Sequence, residues 1–317
     1  MLGCLHREGR SDVTQARLRV IARTLGVLAF GVCFVLVLDR ATGTQPNRLN
    51  STTPLSASRR SLPASAEAPA PAPARVPAVL IGPRAKAAPV STPFVGMPMV
   101  GAVFVSGEGG RPGDHYCSAS VVDSPGGDLI ATAAHCIVDP GNGSTTEAPF
   151  VFVPGYHDGQ EPYGAWTPVK VLIDPHWLAN SDPDYDIAFA VVHETGHPGA
   201  RLSTLVGSEG ISFDAKLPAV VSGIGYPASG EQPIACLNTL KPFQPTQSEF
   251  DCSGFANGSS GGPLLLGVMP GSGRGELVGV IGGYQEGGLT AEVSYAAVFG
   301  SSAQNLYRQA VAVPTGS

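Results

Sequence analysis

From position 97 onward the chain alternates short runs of apolar and β-branched residues with clusters of turn formers. The runs cover 99–105, 116–122, 129–133, 150–153, 169–173, 187–192, 219–223, 263–266, 277–281 and 293–298. Their lengths suit strands rather than helices, and they predict an all-β region folded as a sandwich or barrel. Turn chemistry agrees, because most of the 41 glycines fall in this region, where they favour tight turns and break long helices. The tail differs: Leu306 and Ala310 share one face of 303–311, with Ser301 or Ser302 in place for an N-cap. One short C-terminal helix is expected there.

The first 95 residues follow neither pattern. Residues 1–23 are polar and carry Arg7, Arg10, Arg17, Arg19 and Arg23, after which 24–38 run without a charge as far as Asp39 and Arg40. A basic lead before a short apolar core is the layout of an export signal, with the small residues Ala41, Thr42 and Gly43 ahead of a cut. As a helix the run spans about 22 Å, against about 30 Å of hydrocarbon. A cleaved signal is therefore favoured for 1–43, with a retained membrane anchor and a buried helix as alternatives. Signal or anchor, either puts the remainder outside the cytoplasm. Residues 44–95 are dominated by Ala, Pro, Ser and Thr, and 68–74 read APAPAPA. Such a segment cannot bury enough apolar area to offset its ordering entropy, so it reads as an extended spacer. Arg59-Arg60 makes a removable pro-segment the other reading. The globular domain is assigned to 96–317.

Charge sharpens this division. Residues 1–95 hold 12 Lys+Arg against 4 Asp+Glu, while 96–317 hold 7 against 21, within a net charge of −6. An acidic globular part excludes nucleic acid as a partner, since phosphate binding needs clustered cations. The absence of a glycine period excludes collagen, and sparse charge with abundant Gly and Pro excludes a coiled coil.

Four cysteines lie in the globular part: Cys117, Cys136, Cys236 and Cys252. Beyond an export segment an even count favours disulfides, and four cysteines allow three pairings. None has the close spacing of a zinc knuckle. The strongest local feature is Gly258-Ser259-Ser260-Gly261-Gly262-Pro263. A serine flanked by glycines can sit on a tight turn with neighbouring N–H groups converging on an oxyanion, although an isolated loop of this kind is more often only a turn. A nucleophilic hydroxyl needs a base. His6, His115, His157 and His176 have unhelpful surroundings, whereas His135 sits in Thr132-Ala133-Ala134-His135-Cys136, at the end of a β run. The base needs a carboxylate to fix its tautomer. Asp186 enters the run 187–192, where a sheet would hold it, unlike the loop residues Asp182 and Asp184.

The order His135, Asp186, Ser260, with TAAHC, the Asp-Ile-Ala-Phe segment and GSSGGP, resembles the chymotrypsin-like, trypsin-family serine peptidases over 96–317. With its lead and Ala/Pro-rich spacer, the chain is most similar to secreted actinobacterial members, between trypsin and the staphylococcal glutamyl endopeptidases in motif style. The resemblance implies two six-stranded antiparallel β-barrels with the catalytic residues in the cleft between them. It implies a Cys117–Cys136 disulfide beside the histidine and, by exclusion, Cys236–Cys252. It further implies Ser260 as nucleophile, His135 as general base, Asp186 as its orienting acid, and an oxyanion hole from the N–H groups of Gly258 and Ser260. Protein or peptide substrates, no cofactor, no metal, a monomer and a secreted location complete that expectation, with membrane contact only through a retained anchor. A fold that has lost catalysis and binds partners is the alternative.

Some positions depart from the pattern. Ser259 stands where trypsins have the Asp that receives a new N-terminal ammonium, so activity is expected to be indifferent to a chain start anywhere between Thr92 and Pro98. Gly254 stands where trypsin has its pocket acid, and no histidine follows His197, so neither an Arg/Lys nor a glutamyl preference is implied. The segment 278–283 should edge the pocket, with Tyr284 narrowing it. His193-Glu194-Thr195-Gly196-His197 matches the zinc-peptidase HExxH motif, but β-branched residues before it and Pro198-Gly199 after it predict a loop rather than the helix that motif needs.

Overall fold

The computed structural model describes residues 87–110, 112–142, 147–195, 197 and 199–314. The assignments made for 1–43 and for most of 44–95 lie outside these residues. The first lobe uses strands β2 to β7, preceded by a two-residue strand β1 (Thr92–Pro93): β2 (Val100–Ser106), β3 (Pro112–Val122), β4 (Leu129–Thr132), β5 (Phe150–Pro154), β6 (Trp166–Ile173) and β7 (Ala188–Glu194). They close into a barrel in the order β2-β3-β4-β7-β6-β5. Phe150, Phe152, Trp166 and Phe189 are fully buried in its core. Burying each such side chain contributes about 1.5–3 kcal/mol, which is why the inward positions of these strands are apolar.

The second lobe uses β8 (Gly210–Ile211), β9 (Ala219–Gly225), β10 (Ile234–Gln244), β11 (Gln247–Asp251), β12 (Pro263–Leu266), β13 (Glu276–Val280) and β14 (Val293–Ala297). Their order is β14-β11-β10-β9-β12-β13-β8, with β1 added on β10. The sheet curls so that the Gly282 N–H, just past β13, donates to the Tyr295 carbonyl in β14 at 3.0 Å. The all-β, two-lobed, chymotrypsin-like architecture agrees with the sequence expectation.

Three short helices join the strands: α1 (Pro175–Asn180), α2 (Leu202–Val206) and α3 (Ser301–Val311). The C-terminal helix is present as expected, but its N-cap is Gly300 without a side-chain cap bond, so neither Ser301 nor Ser302 serves. It buries Ala303, Leu306 and Ala310, and Tyr307 rests edge-on against Phe189 of the first barrel. The β10–β11 hairpin has no counterpart among the sequence-predicted runs. Pro242, a bulge between Pro242 and Gln244, and polar residues facing solvent hide its alternation. No helix among the described residues is long and apolar enough to cross a membrane.

Candidate active site

The barrel itself brings the first two candidate residues together. In the antiparallel β4–β7 ladder Thr132 lies opposite Ala188, so the chain leaving β4 and the chain entering β7 emerge side by side. His135 follows three residues after Thr132, and Asp186 precedes Ala188 by two. The His135 ring nitrogen Nδ1 and Asp186 Oδ2 are 2.7 Å apart, and the His135 backbone N–H donates to Asp186 Oδ1 at 2.9 Å. A third donor, the Gly283 N–H, reaches Asp186 Oδ2 at 2.7 Å. Asp186 is completely buried, so these charge-assisted bonds replace the water it has lost. Beside the histidine, Cys136 is bridged to Cys117 in β3, and Cys236 is bridged to Cys252 in the second lobe. Both pairings match those the family resemblance implied.

Ser260 comes from the second lobe, on the turn between β11 and β12, and faces the same cleft. His135, Ser260, Gly258, Tyr116, Phe255 and Ile281 all line a cavity of about 890 Å³. Among the described residues the Ser260 hydroxyl makes no hydrogen bond to His135. Catalytic hydrogen bonds commonly tighten only once substrate is bound. Gly258 has φ 97°, in the left-handed region that favours glycine. Neither its N–H nor that of Ser260 donates to an acceptor among the described residues.

Electrostatics favour proton uptake at His135. Burial pushes its pKa down, but the charge and hydrogen bond of Asp186, with Glu286 and Asp139 beyond, outweigh this and raise it above the ordinary histidine value. Glu286 is itself raised, chiefly by burial. It is the one carboxylate among the cavity-lining residues, and it sits with Gln285 in a loop where both have φ 54°. Such backbone is sparsely populated for residues with a Cβ and is frequent at ligand sites. Phe255, Ala256, Ile281, Leu289 and Ala291 make an apolar part of the wall, beside the polar Ser229, Asn257 and Thr290.

Other sequence candidates fall elsewhere. Asp182 caps its own turn by accepting from the Asp184 N–H at 3.1 Å. Asp184 accepts from Gln247, and His176 pairs with Asp174 and stacks on Tyr185. His193 and Glu194 end β7, and a turn separates them from His197. A strand end followed by a turn does not stack His193 and His197 one helical turn apart, as HExxH requires. The single His/Cys cluster among the described residues, Cys117, His135 and Cys136, has both sulfurs in a disulfide and so offers no thiolate to a metal. Sequence reasoning overlooked Ser118, Gln247 and Glu286. Gln247 is buried, accepting from the Tyr284 N–H at 2.9 Å and donating to the Pro183 carbonyl at 3.0 Å. Its strand was itself unrecognised, and no local motif marks it.

A closed barrel and a second sheet sharing one cleft form the chymotrypsin-like serine peptidase fold, and solved structures agree. Protease Anisep from Arthrobacter nicotinovorans is 28% identical over 70% of this chain and 100% of its own, with a TM-score of 0.59. The thermostable serine protease AL20 from an extremophilic microorganism is 31% identical over 68% of this chain and 98% of its own, with a TM-score of 0.58. A Glu endopeptidase in complex with MPD shares the fold at 15% identity, over 71% and 97% of the two chains, with a TM-score of 0.56. No match was found among curated protein sequences. Residues 117–280 match the family described as trypsin-like peptidase domain. The chain belongs to the trypsin-like peptidases and is a serine-type endopeptidase, whose substrates are proteins or peptides.

Proposed function

We propose that this peptidase is exported and cleaves peptide bonds through an acyl-enzyme, with Ser260 as nucleophile, His135 as general base and Asp186 as the orienting acid. The observation that carries this reading is the buried His135–Asp186 pair, at 2.7 Å, in the same cleft as the glycine-flanked Ser260. Asp186 holds the Nδ1–H tautomer, leaving Nε2 free to take the Ser260 proton as Oγ attacks the carbonyl carbon. The resulting oxyanion is received by the N–H groups of Gly258 and Ser260, where one such donor contributes roughly 2.7–4 kcal/mol. As the C–N bond breaks, His135 returns its proton to the leaving amine. Water then attacks the acyl-enzyme, His135 accepts its proton, and Ser260 is regenerated.

Export is supported by the basic lead and apolar core of 1–43 and by two disulfides, which persist in oxidising compartments. Residues 44–95 then act as spacer or pro-segment. The enzyme is taken to work as a monomer. Covalent labelling by a serine-directed phosphonate tests the mechanism. Wild type is expected to gain one equivalent and Ser260→Ala none. Labelling of both, or of neither in folded samples, would falsify the assignment of Ser260, and the latter outcome favours a binding role for the fold.

A further inference from the structure

The loop that carries Ser260 is held from the other lobe. Within the loop the neighbouring hydroxyl contributes nothing to its own anchoring, because Ser259 Oγ is buried without a partner among the described residues. Besides its bonds to Ile281 in its own lobe, the backbone is held at three carbonyls. Asn257 C=O accepts from the Ala228 N–H at 2.7 Å, Gly258 C=O accepts from Ser118 Oγ at 2.9 Å, and Ser260 C=O accepts from the Ser118 N–H at 2.7 Å. Ser118 Oγ in turn accepts from the Tyr226 N–H at 2.9 Å, so its hydroxyl is satisfied as donor and as acceptor. Tyr226 lies two residues before Ala228, so the hydroxyl links the segment that holds Asn257 C=O to the carbonyl of Gly258 itself. The Ser118 carbonyl accepts from Thr132 Oγ1 at 2.8 Å, and Cys117, next to Ser118, is bridged to Cys136, next to His135. Ser118 is fully buried in β3 of the first barrel.

Resting on the triad reading above, we propose that Ser118 is a positioning residue: its hydroxyl, bridging Gly258 C=O and Tyr226 N–H across the two lobes, presets the oxyanion loop against the histidine. An oxyanion donor works only where the developing charge forms, and a shift of about 1 Å in such a group costs up to about 100-fold in rate. Removing the hydroxyl leaves two buried backbone groups unpaired and loosens Gly258 on its carbonyl side, next to the peptide that presents its N–H.

The test uses the full chain with Ser118→Ala and Ser118→Gly. It measures the rate constant for phosphonate labelling, kcat and KM on a peptide substrate, the pH profile and the melting temperature. The labelling rate constant is read from the reactive fraction, so incomplete folding does not enter it. Expected are a fall of about 10–100-fold in labelling rate and kcat, KM within about twofold of wild type, and an unmoved acid limb, because the His135–Asp186 pair is untouched. A variant that melts earlier yet is labelled at the wild-type rate overturns the proposal and makes Ser118 merely structural. A wild type that takes up no phosphonate at all overturns the triad reading instead, which keeps the two failures distinct.

Discussion

Asp186 receives three N–H groups while fully buried, and this sets what a neighbouring charge can do to its partner. His135 must be neutral to accept the Ser260 proton, so activity rises with pH through the His135 pKa, which lies above its ordinary value. Burial opposes that rise, Asp186 drives it and Glu286 adds to it. Glu286→Gln removes one of the charges that favour the imidazolium, and the acid limb of kcat/KM is expected to move to lower pH. A profile of kcat/KM against pH checks this; an unmoved limb, or one moved upward, overturns the role given to Glu286. Residues of this kind differ in how readily sequence exposes them. His135, Asp186 and Ser260 stand out because each needs a special residue type in a tight local setting. Ser118 is one serine inside an apolar strand run, and Glu286 is one acid in a glycine-rich loop. Their significance comes wholly from what lies across the cleft.

At the level of elements, the ordered chain begins before position 96. Thr92 and Pro93 pair with Ala235 and Ile234, and the Phe94 N–H donates to the Pro233 carbonyl at 3.1 Å. The Ser91 N–H donates to Ser253 C=O and the Ser253 N–H to Pro89 C=O, each at 2.8 Å. Gly254 has φ 115°, a backbone conformation that favours glycine, and the Ser91 hydroxyl lies against it. This arm backs the segment that leads to Phe255 in the cavity wall. These bonds argue against indifference to a start between Thr92 and Pro98. A chain starting at Met97 loses the bonds of the arm, about 2 kcal/mol in all or roughly 4–8 °C in Tm, relative to one starting at Ala87. Its KM should rise as well, through the loosened wall. Thermal melts and steady-state kinetics on the two chains check this, and equal values for both would leave the arm without a role. The arm escaped notice because Pro89 to Pro93 reads as more of the Pro-rich spacer, and its order comes from the free edge of β10.

Across the whole molecule the lobes are joined at Glu209. Its backbone exchanges hydrogen bonds with Val121 and Asp123 of the first lobe at 2.8 Å each, while its side chain accepts from the Gly275 N–H just before β13. The carboxyl is fully buried, with one oxygen unpartnered among the described residues. Burial pushes its pKa up to about 7, against the Gly275 hydrogen bond and Arg274, and with help from Glu276 and Asp123. The folded state thus holds this proton more tightly than the unfolded chain. The contribution to stability is complete below about pH 4.5 and is lost as pH rises through about 7, a difference on the order of 3 kcal/mol. Glu209→Gln cannot ionise, so its Tm should fall less than that of wild type between pH 5 and pH 8. Parallel melting curves across that range would remove Glu209 from the account. Much of the larger picture was readable in one dimension. Strand-length apolar runs and dense glycine determined an all-β domain, since that patterning is local, and three short motifs in the order His, Asp, Ser pointed to the chemistry proposed for it. Tertiary structure alone decided which groups surround it. The β4–β7 register sets His135 against Asp186, the β10 edge captures the arm, and the approach of the two lobes brings Ser118 to the Gly258 carbonyl. These contacts join residues from 51 to about 140 positions apart, and no local pattern encodes a hydrogen bond across such separations.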